Sequence, residues 1–190
     1  MQLLPRPIGR NLRSSHEYSA DEVVSIVKAV VDRIAAQTGA QARLVDLADL
    51  VPDLGIRSRP EASPQVEDAL QAIESASLLV VGSPVYKGSY TGLLKHLIDL
   101  INYPALLGTP VALLEAGGSD RHALVIEHQL RPLFAFFGAK TLATGVFLTD
   151  KTIQNGWVED SACSARLDQL IAEAVHELKL ARTVRASAVG

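Results

Sequence analysis

The chain has 190 residues, of which 48% are hydrophobic, and it carries 18 Lys and Arg against 21 Asp and Glu. This length suffices for one sizeable core and is short for two, so we predict a single domain over residues 1–181 and a disordered tail over 182–190. The charge is dispersed along the chain, which argues against a nucleic-acid partner and a polybasic membrane anchor.

The predicted elements alternate between strand and helix along the chain. Strands are predicted at residues 2–4, 42–47, 78–82, 110–116 and 141–148, and helices at 21–36, 65–75, 91–101, 123–137 and 162–181. The first strand is short because Pro5 and Pro7 cannot donate ladder hydrogen bonds. Residues 51–64 form a long connection, either a surface loop or an oligomer contact. Such alternation predicts a three-layer αβα sandwich around a parallel sheet.

The single cysteine, Cys163, has no partner for an intramolecular disulfide, and no Cys or His cluster has the spacing of metal ligands. We therefore expect no metal site and a reducing, cytoplasmic compartment. No apolar run reaches the roughly 18 residues of a membrane-spanning helix, and residues 1–9 lack the apolar core of a signal peptide.

Two small-residue loops follow the two most apolar predicted strands. The first runs from Gly82 to Gly92 and the second from Gly117 to Arg121. Consecutive parallel strands are usually neighbours, so both loops are expected at one edge of the sheet, where α/β proteins bind ligands. Glycine there lets a planar ligand approach the backbone, and free N–H groups can donate to it. The ordinary alternative for the first loop is a turn that caps a helix.

The stretch from Pro84 to Asp99, followed by Gly117-Gly-Ser119 and the helix that ends Leu130-Arg-Pro-Leu133, resembles the NAD(P)H-dependent FMN reductases of flavodoxin-like fold. The resemblance covers residues 35–148 and is strongest to the reductases of two-component alkanesulfonate and methanesulfonate monooxygenase systems. It implies a parallel sheet of order 2-1-3-4-5. It further implies that FMN and NAD(P)H bind, that reduced flavin passes to a monooxygenase in sulfur metabolism, and that the chain forms a homodimer or homotetramer.

Carried over by position, the resemblance assigns flavin contacts to the two loops. The implied contacts are Pro84, Val85, Tyr86, Lys87, Gly88, Ser89, Tyr90, Gly117, Gly118 and Ser119. The family's phosphate loop has no clear counterpart, but Arg13 and Ser14 offer a guanidinium and a hydroxyl for a substitute phosphate site. Asp21 at the following helix start would repel a phosphate.

His128 matches the position at which related reductases carry an extra helical residue, which produces a π-helical turn at their tetramer interface. The resemblance implies a role in assembly or flavin exchange, and the ordinary alternative is a surface histidine. No catalytic side chain is predicted, because hydride transfer to a flavin depends on positioning and backbone donors. Two alternative functions stay open: a flavodoxin-like electron-transfer protein that holds FMN, and a quinone or azo reductase on the same scaffold.

Overall fold

The structure is a computed structural model, and it describes residues 20–149, 151–154 and 157–187. The predicted strand at residues 2–4 and the phosphate candidates Arg13 and Ser14 lie outside these residues. The helices are α1 (Ala20–Thr38), α2 (Leu47–Leu50), α3 (Pro64–Glu74), α4 (Gly92–Asp99), α5 (Arg131–Phe136) and α6 (Ser161–Ser187). The strands are β1 (Leu79–Pro84), β2 (Pro110–Ala116), β3 (Lys140–Leu148), β4 (Ile153–Gln154) and β5 (Trp157–Val158).

The main sheet of the described residues is parallel and has the order β1-β2-β3. These strands are the third, fourth and fifth predicted ones, and they lie side by side in the predicted order. β1 is buried along its whole length and β2 from Val111 onward, as their uninterrupted apolar sequences predict for strands covered on both faces. Together with the helices on both faces, this sheet confirms the α/β fold class.

Alternate residues of each strand point to opposite faces of the sheet, and each face has its own apolar cluster. On one face, Leu79 and Val81 of β1 belong to a cluster with Leu70 of α3, Leu94 of α4 and Phe134 of α5. On the other face, Val80 of β1 and Leu114 of β2 belong to a cluster that includes residues of α1 and α6. The sheet is therefore the middle layer of a three-layer sandwich.

The predicted strand at residues 42–47 is wrong. Residues 40–46 have no regular secondary structure, and Leu47 begins α2. Asp46 caps that helix, since its carboxylate accepts a hydrogen bond from the Ala48 N–H at 2.9 Å. In the predicted order this strand would pair only with the first predicted strand, at residues 2–4, which lies outside the described residues.

The helix predicted over residues 123–137 is interrupted. A 3₁₀ turn spans Asp120–His122, a π-helical turn spans Ile126–Leu130, and α5 covers only Arg131–Phe136. This π turn confirms the expectation that the helix contains one extra residue around His128. The end of this helical region is as predicted, because Gly138 adopts φ +64° just beyond it.

The last helix is longer than predicted. α6 continues to Ser187 and not only to residue 181, so residues 182–187, which were predicted to belong to a disordered tail, are helical. The reason lies in the residue types, since no Gly or Pro interrupts the chain between residues 162 and 189. Residues 188–190 lie outside the described part, and the single-domain assignment stays a prediction.

The connection between α2 and α3 is fixed to the body of the protein by one arginine. The Arg59 guanidinium forms ion pairs with Glu67 at 2.8 Å and with Glu74, both on α3. Hydrogen bonds to the two carboxylates raise the pKa of Arg59 far above its usual value. Asn102 adds a backbone N–H to Glu74 at 2.8 Å, so this cluster also anchors the segment after α4. None of the described helices is long and apolar enough to cross a membrane.

Candidate functional site

The loop after β1 contains a tight two-residue turn. The backbones of Tyr86 and Ser89 exchange hydrogen bonds at 2.8 and 3.2 Å, and the two residues between them, Lys87 and Gly88, adopt φ values of +55° and +81°. Positive φ at both central residues is the signature of a type I′ turn, which favours Gly at one of them. The turn therefore gives the loop a defined shape without a ligand.

Both ends of this loop are fixed to the hydroxyl of Ser83, a buried residue of β1. The Ser83 Oγ accepts a hydrogen bond from the Thr91 N–H at 3.2 Å and donates one to the Pro84 carbonyl at 3.0 Å. Thr91 in turn caps α4, because its Oγ1 accepts from the Leu94 N–H at 3.2 Å. The helix therefore begins at Gly92 and is capped by Thr91, which was predicted to lie inside the helix, and an ordered loop precedes it.

The second loop lies against the first, as expected from adjacent strands. The Val85 N–H donates to the Ala116 carbonyl at 2.7 Å, and the Gly117 N–H donates to the Leu148 carbonyl at 3.0 Å. A Cβ atom on Gly117 would lie 3.0 Å from the Phe147 ring and 3.5 Å from the Val85 Cβ. The structure therefore brings the two predicted loops together at the carboxyl edge of the sheet, and a side chain at Gly117 would crowd the Phe147 ring of β3.

Several backbone donors of these loops are unused. Within the described part of the chain, the N–H groups of Lys87, Gly88 and Gly118 form no hydrogen bond. Ser119 is engaged differently, since its Oγ accepts from the Arg121 N–H at 3.3 Å and caps the following 3₁₀ turn. Free donors beside small residues suit a flat ligand with carbonyl and ring-nitrogen acceptors, which is the chemistry of an isoalloxazine.

The two tyrosines of the first loop have different surroundings. The Tyr86 side chain is 46% exposed, whereas Tyr90 packs against the apolar cluster under α3, α4 and α5. Only Tyr86 therefore stands at the surface, where it could lie beside a ring system.

The π-helical turn borders the first loop. The Ser89 Oγ donates to the Gln129 Oε1 at 3.4 Å, which connects the loop to the turn. His128, the predicted assembly or exchange residue, lies in the same π turn and is exposed. Its backbone N–H donates to the Leu124 carbonyl at 3.0 Å, as does that of Glu127, so one carbonyl serves two donors where the helix widens.

One polar residue near the site was not predicted as functional. Glu115, the next-to-last residue of β2, is fully buried, and neither carboxylate oxygen has a hydrogen-bond partner among the described residues. Burial raises the pKa of Glu115 to about 8. The sequence signal was available, since Glu115 is the one charged residue in an otherwise apolar predicted strand, but its lack of partners could not be known.

The structure leaves other candidates unplaced. Arg13 and Ser14, the proposed phosphate contacts, lie outside the described residues. Among the residues that are described, no three His, Cys, Asp or Glu side chains come together as a metal site.

The sequence of this chain matches a known protein family. The sequence profile of the NADPH-dependent FMN reductase family matches residues 20–154. The chain is 42% identical over 165 residues to "NADH-dependent FMN reductase SfnF" of Pseudomonas fluorescens (strain Pf0-1), covering 86% of this chain and 88% of that protein. It is 42% identical over 155 residues to "FMN reductase (NADPH)" of Pseudomonas aeruginosa PAO1, covering 81% and 83%.

A solved structure agrees with these relatives. The crystal structure of an oxidoreductase from Corynebacterium diphtheriae superimposes with a TM-score of 0.71 at 27% identity, over 93% of this chain and 94% of that one. Residues 20–154, which the family profile matches, include both glycine loops, β1 to β3 and the π turn. With a family profile over most of its length and relatives above 40% identity, this chain belongs to the NADPH-dependent FMN reductase family.

Proposed function

We propose that this protein is an NAD(P)H:FMN oxidoreductase that transfers hydride from a nicotinamide nucleotide to FMN and releases reduced FMN to a separate monooxygenase. The observation that carries the proposal is the contact between the two glycine loops at the carboxyl ends of β1 and β2. Two relatives carry names of this activity, one with NADH and one with NADPH.

The residues of the two loops would act by binding and orientation. The free N–H groups of Lys87, Gly88 and Gly118 would donate to the polar edge of the isoalloxazine, and Tyr86 would cover one side of the ring. Donors at that edge stabilise the negative charge that forms on reduction. Bound FMN supplies the hydride acceptor, and no acid or base from the protein is required. Pro84, Val85, Ser89, Tyr90, Gly117 and Ser119 would shape this site, and Arg13 and Ser14 would bind the phosphate.

The supply of reduced flavin to a sulfonate monooxygenase is supported by the sequence resemblance to reductases of such systems. A reductase that treats flavin as a substrate must release it, so moderate FMN affinity suits this role. The decisive measurement adds the purified chain to a flavin-dependent monooxygenase that lacks its own reductase. Product formation should require this protein, NAD(P)H and FMN together.

Steady-state oxidation of NADH and NADPH, with and without FMN, tests the reductase activity. FMN-dependent oxidation of at least one nucleotide is expected, and the ratio of the two kcat/KM values assigns the preferred nucleotide. Absence of FMN-dependent oxidation with either nucleotide overturns the proposal. If the protein purifies with stoichiometric FMN but oxidises neither nucleotide, it is an electron-transfer protein. If turnover is faster with quinones or azo dyes than with FMN, the electron acceptor is one of those compounds.

A matched pair of glycine variants tests the site itself. Gly117→Ala places a methyl group 3.0 Å from the Phe147 ring between the two loops, so we expect the FMN dissociation constant to rise about tenfold. Gly55→Ala is the control, because a Cβ there meets nothing within 4 Å and its φ is not positive. Equal FMN affinity in both variants would place the flavin elsewhere.

We further propose that the chain is a homo-oligomer. Three large apolar side chains, Tyr103, Leu107 and Phe136, are 66%, 68% and 70% exposed. The rings of Tyr103 and Phe136 are 5.7 Å apart, so they form a continuous patch of the kind that interfaces cover. Light scattering during size-exclusion chromatography distinguishes monomer, dimer and tetramer. A change of assembly or of FMN release in His128→Ala would support the role assigned to that residue.

A further inference from the structure

Glu115 occupies a position where a carboxyl group is costly and unexplained by the fold. It is 0% exposed, and its oxygens have no partner in the described part of the chain. It is the next-to-last residue of the central strand, directly before Ala116, whose carbonyl accepts the hydrogen bond from the Val85 N–H. A buried polar group without a partner destabilises the folded protein, so its presence calls for a functional explanation.

The neighbours of Glu115 connect it to the first loop. In the parallel register, Glu115 lies opposite Ser83 of β1 and Phe147 of β3. Paired residues of adjacent strands point to the same face, about 5 Å apart, so the Ser83 hydroxyl and the Glu115 carboxyl share one face of the sheet. Ser83 is the residue that fixes both ends of the first loop, through the Thr91 N–H and the Pro84 carbonyl.

The Ser83 hydroxyl has only one proton to donate. While Glu115 is neutral, that proton is used by the Pro84 carbonyl at 3.0 Å. A Glu115 carboxylate is a stronger acceptor than a carbonyl, and neither of its oxygens has a hydrogen-bond partner among the described residues. Loss of the Glu115 proton to solvent would therefore draw the Ser83 hydroxyl toward the carboxylate and leave the Pro84 carbonyl without its partner.

We propose that Glu115 is a positioning residue for the flavin site: in its protonated form it leaves Ser83 free to hold the loop from Pro84 to Thr91, and its deprotonation loosens that loop and weakens FMN binding. The effect on FMN rests on the proposed function, whereas the effect on the loop does not. The raised pKa of Glu115, about 8, places the change at mildly alkaline pH.

Other titratable groups lie on the loop, the π turn and the helix that surround this region. The π turn carries Glu127, which is ion-paired with Arg131 at 2.6 Å, and the exposed His128. The first loop carries Lys87 and Tyr90. α4 carries His96, whose buried Nε2 has no hydrogen-bond partner in the described part of the chain, and the ion pair of Lys95 with Asp99 at 2.5 Å. No described Lys, Arg or His forms an ion pair with Glu115. A pH effect from any of these groups would persist when Glu115 is replaced.

Glu115→Gln is the central test, because glutamine has the shape of the protonated acid and cannot ionise. The FMN dissociation constant, from quenching of flavin fluorescence, is measured between about pH 6 and about pH 9.5 for wild type, Glu115→Gln and Glu115→Ala. Wild type should lose affinity by about threefold or more across this range, with an inflection near pH 8, whereas both variants should show no such inflection. Asp99→Asn, which removes an exposed carboxylate of α4, is the matched control and should keep the wild-type profile.

Amide hydrogen exchange of residues 84–92 gives a second readout that needs no flavin. Above about pH 8.5, wild type should exchange faster in this segment than Glu115→Gln at the same pH, and the two proteins should agree at about pH 6.5. If the two proteins exchange alike at every pH, or if Glu115→Gln retains the wild-type pH profile of FMN binding, the proposal is wrong. If wild type binds no FMN at any pH while the exchange difference is present, the proposed function fails and the positioning role of Glu115 stands.

Discussion

Polar side chains at the β3 edge of the sheet form hydrogen bonds with the backbone, whereas a carboxyl group at the centre of the sheet has no partner among the described residues. At the edge, Arg131 donates to the Leu142 carbonyl at 2.7 Å, Arg166 donates to the Gly145 carbonyl at 2.6 Å, and Glu173 accepts from the Thr144 N–H at 3.0 Å. Side chains from α5 and α6 thus satisfy backbone groups that a further strand would otherwise pair with. At the centre, the Glu115 carboxyl has no partner among the described residues.

The two carboxyl groups respond to these surroundings in opposite directions. Partial burial raises the pKa of Glu173, but the hydrogen bonds from Thr144 and Gln169 and the charge of Arg166 together lower it by more, so its pKa lies below the usual value. Burial alone raises the pKa of Glu115. Glu173 is half-buried and has hydrogen-bond donors, whereas Glu115 is fully buried and has none among the described residues. Burial and the lack of donors therefore act together to raise the pKa of the carboxyl beside the candidate flavin site.

The largest expected effect is a pH dependence of stability from Glu115. Its folded pKa of about 8 exceeds the unfolded value of 4.5, so the folded state holds the extra proton between these values. The free energy of unfolding should then fall as pH rises from about 4.5 to about 8, by up to about 1.4 kcal/mol per pH unit, and level off above. Urea unfolding of wild type and Glu115→Gln at several pH values measures it. Parallel curves for the two proteins would mean that the carboxyl is partnered in solution.

A smaller loss of folding stability is expected from overpacking the interior of β1. A Cβ on Gly82 would lie 2.4 Å from the Val27 Cγ2 of α1, whereas a Cβ on Gly55 meets nothing within 4 Å. Gly82→Ala should therefore lower the free energy of unfolding by about 1–3 kcal/mol, and Gly55→Ala should change it by less than about 0.5 kcal/mol. Thermal unfolding of the pair checks this. Equal midpoints would show that α1 moves away at little cost.

Loss of the Glu173 hydrogen bonds at the β3 edge is expected to lower the free energy of unfolding by less than overpacking at Gly82. Glu173→Ala leaves the Thr144 N–H and hydroxyl without their acceptor, which should cost about 1–2 kcal/mol of unfolding free energy. Because the pKa of Glu173 is lowered in the folded protein, its contribution is present at neutral pH and is lost as pH falls through the folded pKa. Glu173→Gln retains an acceptor oxygen and should lose less. A full-size loss in the glutamine variant would assign the effect to charge.

The smallest effect belongs to an exposed ion pair far from both regions. Lys28 and Asp32 are one helical turn apart on α1, and their side chains are 61% and 57% exposed. Solvent screens such pairs, so Lys28→Ala should change the free energy of unfolding by at most about 0.5 kcal/mol. Chemical denaturation in low and high salt measures it. A larger, salt-insensitive change would show that Lys28 contributes through packing.

The parts of the fold that could be predicted are those in which local sequence and burial agree. The apolar runs that became β1 and β2 are buried as predicted, and the loops after them converge because adjacent parallel strands end at one edge. The π turn around His128 was implied by a family resemblance, and residue periodicity alone would have predicted an ordinary helix there.

The parts that could not be predicted depend on partners distant in the sequence. Residues 42–47 alternate like a strand, but alternation does not show that the Asp46 carboxylate accepts from the Ala48 N–H and caps a short helix that begins at Leu47. Glu115 is visible as a charge in an apolar run, yet whether it has a partner depends on Ser83 and Phe147 in other strands. The ionisation behaviour of the site therefore required the structure.

The type I′ turn of Tyr86 to Ser89 has a thermodynamic consequence for FMN exchange. A loop that is already shaped by its own backbone loses little conformational entropy when a ligand arrives, and it regains little when the ligand leaves. Calorimetry of FMN binding should therefore give a heat-capacity change that matches burial of the ring alone, without the additional contribution of a folding segment. Such a site can bind and release its flavin in each turnover while the loop keeps its conformation.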